Sequence, residues 1–243
     1  MKLSRILTVF AFAALGIAPL ASAETRDAQG VLDECLSAYA SLKSYADTGE
    51  VVIEQKPIGA ATTQEDRSLS TLYKAPKLFR FETVKSDTQE RSAVWSDGEQ
   101  FSTWWSATQV AETYPPGRGV AAFAVTEYPT AGLSTMIPAL LFQSANLQSP
   151  VLTLTPHSEA TEDRLGDRKV WIVQGETAVN HWSQNTRPVR LWIDAETHLI
   201  RRIVLDTQTG LGGDAVQRMT VDIAPIENPD IPDADFAFSP PVE

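Results

Sequence analysis

The chain has 243 residues and a formal charge of −11, from 31 acidic and 20 basic side chains, and a single cysteine, Cys35. Such an acidic balance excludes an electrostatic footprint for nucleic acid and opposes attachment to anionic lipid surfaces. One cysteine excludes an internal disulfide, so stability has to come from sheet and core alone.

The first stretch, Met1–Ala23, reads as an export signal. Lys2 and Arg5 open it, Ile6 to Ala18 is an apolar run too short to favour a spanning helix, Pro19 breaks that run, and Ala21-Ser22-Ala23 is a small-residue cleavage site. Position 24 is Glu rather than Cys, so lipid modification after cleavage is not expected. Losing Lys2 and Arg5 moves the formal charge to −13. The expected mature chain, 24–243, is long enough for one sizeable core, and it has no second apolar segment able to cross a bilayer. Export to the periplasm as a free, monomeric, single-domain protein is the expectation.

Val31, Leu32, Cys35, Leu36, Tyr39 and Leu42 then recur at helical spacing, which predicts a helix over about Thr25 to Ser44. Cys35 falls within its apolar stripe and reads as a small buried side chain. From Gly49 the period becomes two. Strands are predicted at Glu50–Gln55, Arg67–Lys74, Leu78–Lys85, Ser92–Ser96, Gln100–Trp105 and Gln109–Tyr114, with turns at Pro57-Ile58-Gly59, Ala75-Pro76, Asp97-Gly98 and Ser106-Ala107. Asp97-Gly98 is the strongest hairpin signal, because its turn needs positive φ.

Pro115-Pro116-Gly117-Arg118-Gly119 breaks this series. Val120–Ala145 is helix-like, split by Pro129 and Pro138, strongly apolar, and carries one charge, Glu127. It is expected to pack as a plug on the concave face of the sheet. Strands resume at Val151–Thr155, Arg168–Gly175, Val189–Ile193, Leu199–Leu205 and Ala215–Ile223, with turns at Gly166-Asp167 and Gly210–Gly213. The best-defined unit is the hairpin Arg190–Asp206, turning through Asp194-Ala195-Glu196-Thr197. Period two puts Leu199, Ile203 and Leu205 on one face of its return arm, interrupted by Arg201, and Ile200, Arg202 and Val204 on the other. The tail from Pro225 is expected to be extended and anchored by Phe236 and Phe238. The result is an α+β fold: a single strongly curved antiparallel sheet of about eleven strands, a half-open barrel, with an N-terminal helix and a helical plug on its concave face.

The blocks LSAYASLKSYADTGEVVIEQ, YKAPKLFRFET, AVWSDGEQFSTWW, STMIPALLF, LWIDAETHLIRRIVLD and IPDADFAFSPP follow one another in an order that resembles the LolA-like periplasmic lipoprotein-carrier superfamily, within a branch of predicted periplasmic proteins of undefined role. The resemblance implies a half-open β-barrel holding helices in its mouth and a binding space for acyl chains or other apolar groups. Carriers of this kind have an arginine latch, and Arg80 stands in the matching FRF block.

Side chains able to carry chemistry are sparse. His157, His181 and His198 are far apart, and none has a metal-like partner three or four residues away. Ser134 imitates half of a nucleophile elbow but lacks the second glycine and the preceding strand, so a helix N-cap is the better account. Asp230, Asp233 and Asp235 lack the glycine and closing Glu of a calcium loop. Gly117-Arg118-Gly119 is too short for a phosphate loop. The reading is therefore non-enzymatic, with no cofactor and no metal.

The apolar groups say more. Trp104 and Trp105 must point to opposite faces, and aromatic side chains fill packed layers in any core, here one under the helix and one under the plug. The alternative is that they line a ligand space. The candidate lining is Trp95, Trp104, Trp105, Phe123, Met136, Ile137, Leu140 and Leu141, around a cavity between the concave face and the plug. A lipid or other hydrophobic ligand is the first functional reading. An envelope protein-interaction or sensor module on the same fold is the second, and a hydrolase ranks last for want of a nucleophile and base at plausible spacing.

Overall fold

The computed structural model describes residues 24–115, 119–143, 149–178, 186–209 and 215–240. The expected export signal, His181, Pro116–Arg118 and the expected Gly210–Gly213 turn lie outside the described residues. Strand β1 (Thr25–Asp27) leads into helix α1 (Ala28–Ser41), followed by β2 (Ser44–Pro57), β3 (Thr63–Lys74), β4 (Leu78–Lys85), β5 (Arg91–Asp97), β6 (Phe101–Trp105) and β7 (Val110–Tyr114). The plug comprises α2 (Gly119–Thr126), a 3-10 turn at Leu133–Thr135 and α3 (Ile137–Phe142). The second set of strands is β8 (Thr155–Pro156), β9 (Glu159–Leu165), β10 (Arg168–Ala178), β11 (Thr186–Asp194), β12 (Ile200–Thr209), β13 (Ala215–Ile223) and β14 (Ile226–Glu227).

These fourteen strands form one open antiparallel sheet in the order β1-β9-β10-β11-β12-β13-β2-β3-β4-β5-β6-β7, with β14 beside β2 and β8 beside β10. The two predicted sets are joined through β13 and β2, which pair over nine residues from Ala215–Pro57 to Ile223–Gly49. The half-barrel with a helix and plug inside its curve is thus the architecture the sequence implies. No helix among the described residues is long and apolar enough to cross a membrane.

Three local expectations change. The helix begins at Ala28, because Thr25–Asp27 pairs instead with Glu159–Thr161 of β9, and Asp27 caps α1 by accepting from the Gly30 N–H at 2.7 Å. Val151–Thr153 is a turn, and only Thr155–Pro156 is extended. Strand β9 escaped prediction because Ala160 is its only buried residue, leaving no apolar alternation to read.

The Arg190–Asp206 hairpin is present with a different register. Leu191 pairs with Ile203 and Trp192 with Arg202, but Ile193 pairs with Ile200, so Arg201 is the extra residue of a β-bulge. The bulge restores the pleat such that Ile200 and Ile203 are both fully buried in the same core, against the expectation that Ile200 shares a face with Arg202. The turn is built by Asp194, whose Oδ1 accepts from the Glu196 and Thr197 N–H groups at 3.0 Å while Oδ2 receives Arg201 Nε at 3.0 Å. Burial opposes the charge on Asp194, but these donors hold its carboxyl below the usual range.

Helix α1 lays Val31, Leu32, Cys35 and Tyr39 onto the concave face near β9, β10 and α3. Each such side chain contributes about 1.5–3 kcal/mol of apolar burial. Burial also pushes the Cys35 thiol pKa up, consistent with its reading as an inert core residue.

Candidate functional site

The plug is the first place to look for the expected cavity, and the space directly beneath it is filled. Phe79 of β4, Phe101 of β6, Phe123 of α2 and Phe142 of α3 form a mutual cluster with ring centroids 5.1–6.3 Å apart. Ile137, Leu140 and Leu141 are buried in the same core. The short, apolar helices tuck in because Pro138 starts α3 and a buried hydroxyl network closes the loop before it. Thr126 bonds the Ala122 carbonyl, Thr130 bonds the Thr126 carbonyl, and Ser134 Oγ bonds the Phe123 carbonyl at 3.3 Å. Ser134 therefore sits within a 3-10 turn as a bridge between plug segments, not as a helix N-cap, and its hydroxyl is sealed from solvent.

The open space lies beside the plug. A cleft of about 1000 Å³ runs between the loop at 127–136 and the concave ends of β2, β3, β11, β12 and β13. Strand register gives it a gradient in depth. Val51, Val221, Ile203 and Leu191 form a fully buried layer across four strands. One pleat outward, Ile53, Met219, Leu205 and Val189 form the next layer, and three of these line the cleft. A further pleat outward the same face presents Gln55, Gln217 and Thr207, with Arg187 two residues beyond Val189 on β11. The opposite wall holds Trp105, packed edge-on against Tyr128 at 6.1 Å, with its Nε1 donating to Glu90 at 2.6 Å.

Charges frame the mouth. Arg67 donates from Nε to Glu65 at 2.5 Å and from Nη1 to the Pro129 carbonyl at 2.6 Å, tying β3 to the plug loop. Lys85 lies 3.1 Å from Glu65. Burial raises the Glu65 carboxyl, but the two cations win and hold it below its ordinary value.

The eight candidate lining residues divide into three groups. Trp105 and Met136 line the cleft. Phe123, Ile137, Leu140 and Leu141 are core beneath and within the plug. Trp95 and Trp104 lie on the outer face, against Phe238 of the tail at 4.7 and 5.8 Å. Trp104 and Trp105 do face opposite ways, but the layer over Trp104 is the C-terminal tail and not helix α1. Arg80 is also on the outer face, where it pairs with Glu82, donates to the Asp235 and Ala237 carbonyls and stacks on Phe238. It is far from plug contacts, and the cation that does bond the plug loop is Arg67. Sequence reading passed over Ile53, Arg67, Arg187, Leu205 and Met219. Counting back by two from Leu191 and Val189 would have brought Arg187 to the concave face.

A second, shallower depression of about 730 Å³ crosses the outer face. Small residues Thr48, Gly49, Ser68 and Ser70 form its floor, and Glu82, Arg91, Arg201 and Asp222 form its walls.

Among the described residues, the other candidate polar groups stand apart from one another. His157 is exposed after β8, and His198 sits in the β11–β12 turn with Nδ1 3.2 Å from Glu34. In the tail, Asp233 pairs with Lys74 at 2.7 Å. Among the described residues no three His, Cys, Asp or Glu side chains stand together as a metal-ligand set.

No family model and no curated protein matches the chain. Solved structures do match, at low identity. A DUF1329 family protein from Desulfovibrio piger is 10% identical with a TM-score of 0.37, covering 87% of this chain and 97% of that one. A LolA superfamily protein from Nitrosomonas europaea is 10% identical with a TM-score of 0.31, covering 88% and 98%. A chain of the MucA/MucB complex from Pseudomonas aeruginosa is 12% identical with a TM-score of 0.41, covering 84% of this chain and 58% of that one. The chain thus spans less than two thirds of the MucB-complex chain, and nearly all of the other two.

Proposed function

We propose that this chain is a non-catalytic binding protein of the bacterial envelope, exported through its Met1–Ala23 signal, whose mature part is one half-barrel domain holding an amphipathic ligand in the concave cleft beside the plug. The observation that carries this reading is the cleft itself, about 1000 Å³ with Ile53, Met136, Leu205 and Met219 inside and a polar mouth. That volume matches the upper end of small-molecule sites. Burying an acyl chain there gains about 25 cal/mol per Å², several kcal/mol before ordering costs. Met136 and Met219 suit a wall that must re-pack around chains of differing length. The filled space beneath the plug removes Phe123, Ile137, Leu140 and Leu141 from the ligand surface unless the plug moves, so the ligand-contacting set proposed here is Trp105 and Met136 with the strand residues of the cleft.

The test is native mass spectrometry and solvent extraction of the mature chain purified from cells without detergent, followed by titration with a fluorescent fatty acid. A co-purifying acyl compound or saturable binding is expected. A chain that carries nothing and binds nothing defeats the proposal.

A second reading, docking of a segment of another envelope protein, draws on the outer-face depression floored by Thr48, Ser68 and Ser70. Small side chains there leave backbone-sized room between charged walls. Pull-down from envelope extract separates the two, since this reading requires a stoichiometric protein partner whose capture survives blockage of the concave cleft.

A further inference from the structure

Resting on the reading of the concave cleft as a ligand site, we infer that its ligand is an anionic amphiphile, with a carboxylate or phosphate head received by Arg187 and an apolar chain lying along Ile53, Leu205 and Met219.

The layering of the concave face fits such a molecule. Moving outward along the strands, the concave face passes from Ile203 and Val221 to Leu205 and Met219, and then to Thr207, Gln217 and Gln55. An apolar floor that becomes polar within two pleats fits a molecule with a tail and a head, not a uniformly greasy one. Arg187 stands at the polar level, on the strand that closes one side of the cleft.

The cations around the cleft differ in how far they are already paired. Arg67 is committed to Glu65 and to the Pro129 carbonyl, and Lys85 to Glu65. The side chain of the half-buried Arg187 has no hydrogen bond or ion pair among the described residues, and its Nε is buried without an acceptor. A buried N–H donor left unpaired is costly and uncommon, and a guanidinium fork is shaped to take a carboxylate or phosphate through two parallel bonds. Burial lowers the arginine's pKa, opposed by the charge of Glu127. The other carboxylates of the cleft are occupied or removed: Glu65 by its two cations, Glu90 by Trp105 Nε1, and Asp87 by Lys85 at 3.8 Å. Glu127, exposed on the plug, acts on Arg187 through space without a bond.

Matched twelve-carbon probes test this. Laurate, dodecyl phosphate and dodecanol are titrated calorimetrically into the mature chain, with inorganic phosphate as a tail-less control. Both anionic probes are expected to bind at least about tenfold tighter than dodecanol, the size of a charge-assisted hydrogen bond; the ratio between laurate and dodecyl phosphate shows which head is preferred. Arg187→Gln should remove the advantage of the anionic probes over dodecanol, Arg187→Lys should retain part of it, and Glu127→Gln should widen it. Circular dichroism and thermal unfolding of each variant report that the sheet is still folded. Equal binding of laurate and dodecanol, an undiminished preference in Arg187→Gln, or phosphate binding without any amphiphile binding overturns the inference while leaving the architecture intact. If none of the four probes binds, the cleft reading and this inference fall together.

Discussion

At the scale of single residues, the sharpest energetic feature is Asp47. It sits inside the sheet at 3% exposure, with Oδ2 accepting from the Tyr45 hydroxyl at 2.8 Å and Thr71 standing opposite it on β3. Burial pushes its carboxyl up to about 6, and donors on Tyr45 and Thr71 offset part of that. Because the folded value lies above the unfolded one, the stability contributed by the neutral acid is complete below about pH 4 and is lost as pH rises through about 6. The shift of roughly two units corresponds to about 3 kcal/mol. Urea unfolding of the wild type between pH 4 and 7.5 should therefore show this decline, and Asp47→Asn should flatten it and be the more stable protein at pH 7.5. Equal slopes for the two would show that Asp47 stays ionised in the fold. The residue scale also shows what sequence alone could say: the opposite facing of Trp104 and Trp105 follows from the pleat, but nothing local reveals that Phe238, more than 130 residues away, covers Trp104.

At the scale of elements, the hairpin β11–β12 and the tail each carry a prediction. Asp194 is the buried acceptor for two turn N–H groups, Arg201 and, at 3.5 Å, Arg168, so Asp194→Ala leaves four donors without it around the bulge and should cost about 3 kcal/mol in chemical denaturation. A loss below about 1 kcal/mol would mean that water replaces the carboxylate at no penalty. The tail is held where Phe238 covers Trp95 and Trp104 and Arg80 bonds the Asp235 and Ala237 carbonyls. Phe238→Ala should shift tryptophan emission to the red and lower stability by about 1–2 kcal/mol; unchanged emission would place the tail off the sheet. Long strands with clean alternation were legible from sequence nearly to the residue, as Leu78–Lys85 and Ala215–Ile223 illustrate. Thr25–Asp27 and Glu159–Leu165 were not, because their pairing is decided by each other and not by any pattern within either. The Arg201 bulge was hidden for a related reason: period two cannot announce where it slips.

At the scale of the whole molecule, the half-barrel follows from two sets of strands zipped through β2 and β13, with the most apolar segment between them folded into the curve. The sequence announces the plug but not how completely it would fill the space it enters. Filling depends on Phe142 and Phe123 meeting Phe79 and Phe101, rings contributed by four separate elements. What remains open is displaced to the side, where the layers of β2, β12 and β13 run past the end of the plug. The account stands on that cleft taking an acyl chain, and Trp105 in its wall makes this directly visible. Quenching of tryptophan fluorescence by a brominated fatty acid, compared between the wild type and Trp105→Phe, is the measurement. Saturable quenching that largely disappears with Trp105 is the predicted result. No quenching, or quenching undiminished in Trp105→Phe, would contradict the account.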